Sequence, residues 1–285
     1  MTKTVSLHTP FDVPLPRKTS QRLSWGRLHG GSVALAIANA LAEYDGLSVI
    51  IAPDMLTAQK LSEELRFFAG SDCQPLSFPD WETLPYDMFS PHQDIISERL
   101  GTLYHLPLTE RGVLILPITT FMQKLAPSDY VQLNSLVLAK GEQLNREAFC
   151  QRLELSGYRN VTQVMEHGEY SVRGSLLDLF PMGSPWPYRI DLFDNEVDSI
   201  RYFDPETQRS KDKVDDIHLL PAREFPLTDE AIQQFREHWH ARFDNQRGPA
   251  YDEICKGMAT PGAEYYIPLF FEHTSTYLIT CLNTV

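Results

Sequence analysis

The chain has 285 residues, 42% of them hydrophobic, which is enough apolar material for one large domain or two smaller ones. Its 25 basic and 38 acidic residues give a formal charge of −13, the wrong sign for a surface that gains affinity by neutralising phosphates; the balance argues against tight autonomous nucleic-acid binding and for a protein partner. No stretch reaches the roughly 18 apolar residues of a membrane span, and the opening MTKTVSLHTPFDVPLPRK lacks the apolar core of a signal peptide, so a cytoplasmic protein is expected. Cys73, Cys150, Cys255 and Cys281 form no C-x-x-C pair and read as reduced, while His238 and His240, two apart on a predicted helix, face different ways and make poor joint metal ligands.

The first organised stretch is Gly26-Arg27-Leu28-His29-Gly30-Gly31-Ser32, followed by an Ala-rich helix over Val33 to Ala42. Gly26 and Gly31 have the spacing of a phosphate-binding loop, G-x-x-x-x-G-K-[ST], but Ser32 stands where the lysine belongs and Val33 where the magnesium-binding hydroxyl belongs. Phosphoryl transfer relies on that electrostatic clamp, so hydrolysis here is not expected. A Gly-rich turn before a helix is also common without any nucleotide. Leu47 to Ala52, bounded by Gly46 and Pro53, reads as a strand buried on both faces of a parallel sheet. Ala58, Leu61, Leu65 and Phe68 then build one apolar helix face. The segment Phe78 to His92 is too rich in proline for a regular element. A helix around Ser97 to Tyr104 and a buried strand at Gly112 to Leu116 complete an α/β pattern.

The texture changes near Pro127. After a helix at about Arg146 to Ser156 come short apolar runs at Glu169 to Phe180, Tyr188 to Phe193 and Val197 to Phe203, the last two joined by Asp194-Asn195-Glu196 as an antiparallel hairpin. Alternation puts Tyr188, Ile190 and Leu192 on one side of that hairpin and Arg189, Asp191 and Phe193 on the other. If the first set faces the core, Arg189 and Phe193 stand together in solvent, the composition of an interface hot spot, and Arg173 joins them if the strand register allows. The alternative is that Phe193 packs under a loop and Arg189 merely pairs with Asp191. From Leu219 an amphipathic helix follows, with Ile232, Phe235 and Trp239 on one face, and Tyr277 to Leu282 reads as a buried strand, an awkward place to stop that suggests a fragment.

Longer strings carry a resemblance. They are Asp80-Trp81-Glu82-Thr83-Leu84-Pro85-Tyr86-Asp87, Ser90-Pro91-His92-Gln93-Asp94-Ile95-Ile96-Ser97, Glu166-His167-Gly168-Glu169-Tyr170, Arg173-Gly174 through Asp178-Leu179-Phe180-Pro181, and Phe203-Asp204-Pro205-Glu206-Thr207-Gln208-Arg209-Ser210. Together, from about residue 20 onward, they resemble the amino-terminal UvrB-homology module of bacterial transcription-repair coupling factors. Two of these strings also occur in UvrB, but UvrB keeps an intact phosphate loop and a long aromatic DNA-gripping hairpin, whereas here the lysine is absent and only a short segment separates Tyr86 from Arg99.

The resemblance implies a degenerate P-loop helicase-like parallel-sheet domain (1–126), interrupted by a small α+β domain with an antiparallel sheet (127–215) and resumed by a return segment (216–285). It implies that the small domain binds UvrA, with Arg173, Arg189 and Phe193 at the family's contact positions. The chain itself is then no enzyme and needs no cofactor; ATP and magnesium, RNA polymerase and DNA belong to motor and polymerase-binding parts of the longer family protein, which also mask the small domain through an intramolecular contact. The competing reading is a UvrB-type P-loop ATPase whose Gly31-Ser32 turn still binds nucleotide.

Overall fold

The computed structural model describes residues 3–6, 10–18, 20–70, 74–85, 87–127, 129–243 and 248–272. The chain divides into two compact units, one of Met1–Asp80 with Leu108–Phe121 and the other of Trp81–Pro107 with Met122–Val285. It is a mixed α/β structure containing both parallel and antiparallel sheets. The strand expected at Tyr277 to Leu282 lies outside the described residues.

In the first unit β1 (Lys3–Ser6) and β2 (Leu23–Gly26) form a parallel pair of their own. Helix α1 (Ser32–Glu43) follows, then β3 (Leu47–Ala52), α2 (Met55–Ala69) and the two-residue β4 (Leu76–Ser77). After α3 (Gln93–His105), which belongs to the second unit, β5 (Gly112–Pro117) returns to make a parallel sheet in the order β3-β5-β4. The central β5 is the buried strand its apolar run predicts. Its neighbour β3 is not buried on both faces as expected: Ile51 is 44% exposed, because among the described residues only β5 pairs with this edge strand.

Alanines dominate α1 because it is covered on two sides. Ala34 and Ala38 pack into a core with Ala58, Leu61 and Leu65 of α2 and Val113 and Ile115 of β5. Ala36 and Ala40 meet Val13, Leu15, Trp25 and Leu28 of the lead segment, which Trp25 Nε1 ties down by donating to Pro14 O at 3.2 Å. Helix α2 begins where Asp54 accepts the Thr57 amide at 2.7 Å, the cap its sequence position calls for, and the fully formed bond holds the Asp54 carboxyl below its ordinary pKa.

The second unit contains a two-stranded antiparallel sheet of β6 (Leu136–Ala139) with β13 (Asp216–Leu219) and a six-stranded sheet of order β12-β11-β10-β9-β8-β7. Between β6 and β7 (Arg159–Asn160) lies α4 (Arg146–Leu155), capped by Asn145, whose side chain accepts the Ala148 amide at 3.0 Å. The remaining strands are β8 (Glu169–Arg173), β9 (Leu176–Leu179), β10 (Tyr188–Phe193), β11 (Glu196–Phe203) and β12 (Ser210–Val214). Ile190, Ile200 and Leu177 fall in register across β9 to β11 and are fully buried, while Tyr170 of β8 donates its hydroxyl to Glu154 of α4 at 2.7 Å. The expected hairpin closes at Asp194-Asn195, with Asp194 at φ 55°, a conformation that Asp and Asn tolerate best among residues with a Cβ.

Glycine matters most where α3 meets the segment after β9. A Cβ on Gly101 would lie 3.2 Å from the Gly183 Cα, and Gly183 itself sits at φ 77° with Leu220 Cδ1 only 2.8 Å from where its own Cβ would be. Further along, α5 (Asp229–Phe243) buries Ile232, Phe235 and Trp239 as its periodicity predicts. Phe235 and Trp239 join Tyr251, Tyr266 and Phe270 in an aromatic cluster, where α6 (Pro249–Ile254) and the 3₁₀ segment Ala263–Leu269 pack.

Candidate functional site

The pairing register of the six-stranded sheet aligns Ser171, Asp178, Arg189, Arg201 and Lys213 in one row across β8 to β12. Directly opposed residues of an antiparallel sheet share a face, so this row lies on the side opposite Leu177, Ile190 and Ile200. Its centre is the Asp178 carboxylate, only 1% exposed. Arg189 grips it in the two-bond fork geometry, Nε to Oδ1 at 2.7 Å and Nη2 to Oδ2 at 2.8 Å. Arg173 Nη2 donates to the same Oδ2 at 2.6 Å. Burying a carboxylate is costly unless it is paired and hydrogen-bonded, and two guanidinium groups satisfy that need.

The two arginines differ in what they leave over. Arg189 also donates from Nη1 to Gln208 O at 3.2 Å and Ser210 Oγ at 3.3 Å, and its guanidinium lies 4.8 Å from the centre of the Phe203 ring. Its side chain is 17% exposed, and the bonds to Asp178 raise its already high pKa further. The Arg173 side chain is 50% exposed. Arg189 therefore does not stand in solvent beside Phe193, as the alternation alone suggests. Nor does it pair with Asp191, whose carboxylate accepts from Ser175 Oγ at 3.1 Å. A neighbour from β9 captures it, and that neighbour becomes visible only once the register is known.

Phe193 is 75% exposed at the end of β10, on the same face as Arg189 by alternation, while Leu192 is buried. A register slip between Asp191 and Leu192 bends the hairpin just before it. The turn after Arg173 is braced from α4, where Arg146 Nη1 donates to Gly174 O at 2.7 Å. Gly174 takes φ 62°, which its lack of a Cβ allows. The face thus offers a half-exposed, anchored guanidinium and an exposed aromatic ring on braced strands, the residue types that dominate protein-interface energetics.

In the first unit the Gly26–Ser32 turn has a different geometry from a phosphate cradle. The Ser32 hydroxyl is folded back on its own loop, donating to His29 O at 2.8 Å and accepting the His29 amide at 2.9 Å. The amides of Ser32 and Val33 point to His29 O and Gly30 O, each at 3.3 Å. The Phe68 ring lies 3.6 Å from where a Gly31 Cβ would be. Strand β2, which leads into the turn, pairs with β1 and is not a member of the β3-β5-β4 sheet. The amides of His29, Ser32 and Val33 are committed within the turn, and no lysine stands at its end.

Two buried charge sites were not legible in the sequence. Arg99 of α3 and Glu224 have fully buried side chains, joined by Nε to Oε1 at 2.5 Å and Nη2 to Oε2 at 3.2 Å, and Trp81 Nε1 also donates to Glu224 at 3.3 Å. Nearby, burial and the Glu224 charge push the Glu264 carboxyl up to about 7, opposed by its own backbone amide, the Ser90 hydroxyl and Arg223. Among the described residues no group of three His, Cys, Asp or Glu is placed to hold a metal ion. His238 and His240 bond to separate partners, Leu269 O and the Tyr251 hydroxyl. No helix among the described residues is long and apolar enough to cross a membrane.

Comparison with known proteins bears directly on the six-stranded sheet. Residues 136–225, which hold every strand of it, match the family model described as the UvrB interaction domain. Over 259 residues the chain is 49% identical to the transcription-repair-coupling factor of Escherichia coli K12, a match covering 90% of this chain and 22% of that protein. The chain is homologous to the transcription-repair-coupling factors. The Haemophilus influenzae member is 46% identical over 93% of this chain and 23% of its own length, and the Myxococcus xanthus member 32% identical over 90% and 22%. The chain therefore spans about a fifth of the coupling factors it matches, and the resemblance carried by its motifs is borne out.

Proposed function

We propose that this chain is the partner-docking module of a transcription-repair coupling factor, and that its six-stranded sheet recruits the excision-repair protein UvrA. The observation that carries the reading is that one face of the sheet holds both an exposed Phe193 and an Arg173 guanidinium bonded to buried Asp178, within the segment that matches the UvrB interaction domain. A surface of this kind binds by burying the ring and offering the guanidinium to a partner carboxylate or carbonyl. Arg189 takes part through Asp178, as a member of the same bonded group.

In this reading the chain does no chemistry. Its first part, 1–126, is a nucleotide-fold domain that has lost its phosphate clamp, 127–215 is the docking domain, and 216–285 is a return segment, a division by family likeness that differs from the compact units, which group 122–285 with 81–107. ATP with magnesium, RNA polymerase and DNA are handled by other parts of the longer coupling factor, in the cytoplasm, and an intramolecular contact covers the docking face until the motor engages a stalled polymerase. The rival, a UvrB-type ATPase, draws on the Gly26 and Gly31 spacing and on the two strings shared with UvrB. Calorimetric titrations of the chain with UvrA and, separately, with ATP and magnesium discriminate the two. Saturable UvrA binding with no heat from ATP supports docking; ATP binding with turnover and no response to UvrA replaces it with the enzyme reading.

A further inference from the structure

Asp178 has no free surface with which to touch a partner, yet it bonds both cationic members of the docking face. Its cross-strand neighbours are Ser171 and Arg189, so strand pairing fixes its backbone from both sides. Its side chain is fixed in turn by Arg189, which three separate acceptors and the Phe203 ring hold rigid. What remains adjustable in the group is Arg173, a long side chain at the end of β8 with four single-bond torsions before its charged head. A free arginine loses most of its rotamer freedom when a partner immobilises it. One bond to a rigid buried carboxylate removes much of that freedom before the partner arrives.

We infer that Asp178 is a positioning residue for docking: through the rigid Asp178–Arg189 pair it holds the Arg173 guanidinium in its binding orientation, ready for one carboxylate of an acidic partner. This goes beyond the assignment of the three surface residues and rests on the docking reading above. The charge count supports the ligand class. Two guanidinium groups share one carboxylate, so the group carries a net single positive charge, and the half-exposed Arg173 is where that charge meets solvent. A second carboxylate, supplied by the partner, would complete the balance.

Charge and position make opposite forecasts for Asp178→Asn. The substitution removes a negative charge beneath the face, so an electrostatic surface alone would bind an acidic partner more tightly. Loss of positioning weakens binding instead. The test is a double-mutant cycle on UvrA binding by the full chain, using wild type, Asp178→Asn, Arg173→Ala and the double variant, with thermal unfolding of each. The expected result is a loss of about tenfold for each single variant and a double variant no weaker than the worse single, because both remove the same contact. Asp178→Asn binding as well as wild type or better, while Arg173→Ala loses affinity, overturns the positioning role and leaves docking intact. Independent, additive losses also overturn it. No UvrA binding by wild type removes the docking reading, and this role with it. A measurement on the wild-type chain needs no variant to fold: the Arg173 Nε–H should show ¹⁵N relaxation as restricted as that of the β8 backbone, and a freely mobile Arg173 would refute the inference.

Discussion

Glu224→Gln should destabilise the second unit far more than a surface charge change does. The substitution keeps the shape of the side chain and an oxygen to accept from Trp81 Nε1, so its effect isolates the charge. It leaves the Arg99 cation, whose side chain is fully buried, facing a neutral amide. Removing one partner of a buried ion pair costs about 3–5 kcal/mol, because the remaining charge is stranded in low dielectric. The Trp81 ring, 4.8 Å from the Arg99 guanidinium, keeps its cation–π contact in wild type and variant alike, so it does not offset the loss of about 3–5 kcal/mol. Urea unfolding followed by tryptophan fluorescence and far-ultraviolet circular dichroism measures it. The apolar double variant Arg99→Met/Glu224→Leu should lose less than Glu224→Gln alone, since no stranded charge remains. A Glu224→Gln chain within about 0.5 kcal/mol of wild type, the ordinary range for surface changes, would refute the buried-charge account.

Other consequences are as direct. Glu264 carries a folded-state pKa near 7 against an ordinary 4.5. The fold binds its proton more tightly than the unfolded chain does, so this group lowers stability as pH rises from about 4.5 to 7, by up to about 3 kcal/mol once fully ionised. Glu264→Gln should flatten the melting temperature between pH 5 and pH 8, and an unchanged slope would reassign the pH dependence. Gly183→Ala should cost roughly 1–3 kcal/mol, since its Cβ would press on Leu220 at a left-handed backbone position; a neutral result would show that the Leu220 side chain yields easily. Restoring the two missing loop residues with Ser32→Lys and Val33→Thr should not confer ATP binding in an equilibrium nucleotide titration, because the Ser32 and Val33 amides already bond His29 O and Gly30 O. ATP binding by that variant would mean the turn opens more readily than its hydrogen bonds suggest.

The readable parts of this fold were those that local patterning determines. The Ala-rich run became α1, the stepped Ala58, Leu61 and Leu65 became the buried face of α2 although Phe68, the fourth of that set, is exposed, and the polar turn at Asp194-Asn195 closed the hairpin where expected. Pairing across distant segments was not readable. The exposure of Ile51 follows from which strand neighbours β3, and the two-residue β4 is too short to leave a periodic signal. Alternation placed Phe193 on the right face, but it could not reveal that Asp178 would sit opposite Arg189, nor that Glu224 would meet Arg99. Asp178 stood in plain view within the Arg173-Gly174 to Phe180-Pro181 string. Flanked by Leu177 and Leu179, it broke an apolar run at a single position, and a carboxylate buried in a strand implies a cation nearby.

The docking claim is tested most directly by titrating UvrA into the wild-type chain and into Phe193→Ala. The ring is exposed, so its removal should leave the melting temperature within about 2 °C while UvrA affinity falls at least tenfold, about 1.4 kcal/mol. Equal affinities for the two proteins, with wild type bound to UvrA, would place the recruiting surface elsewhere on the chain and contradict the account.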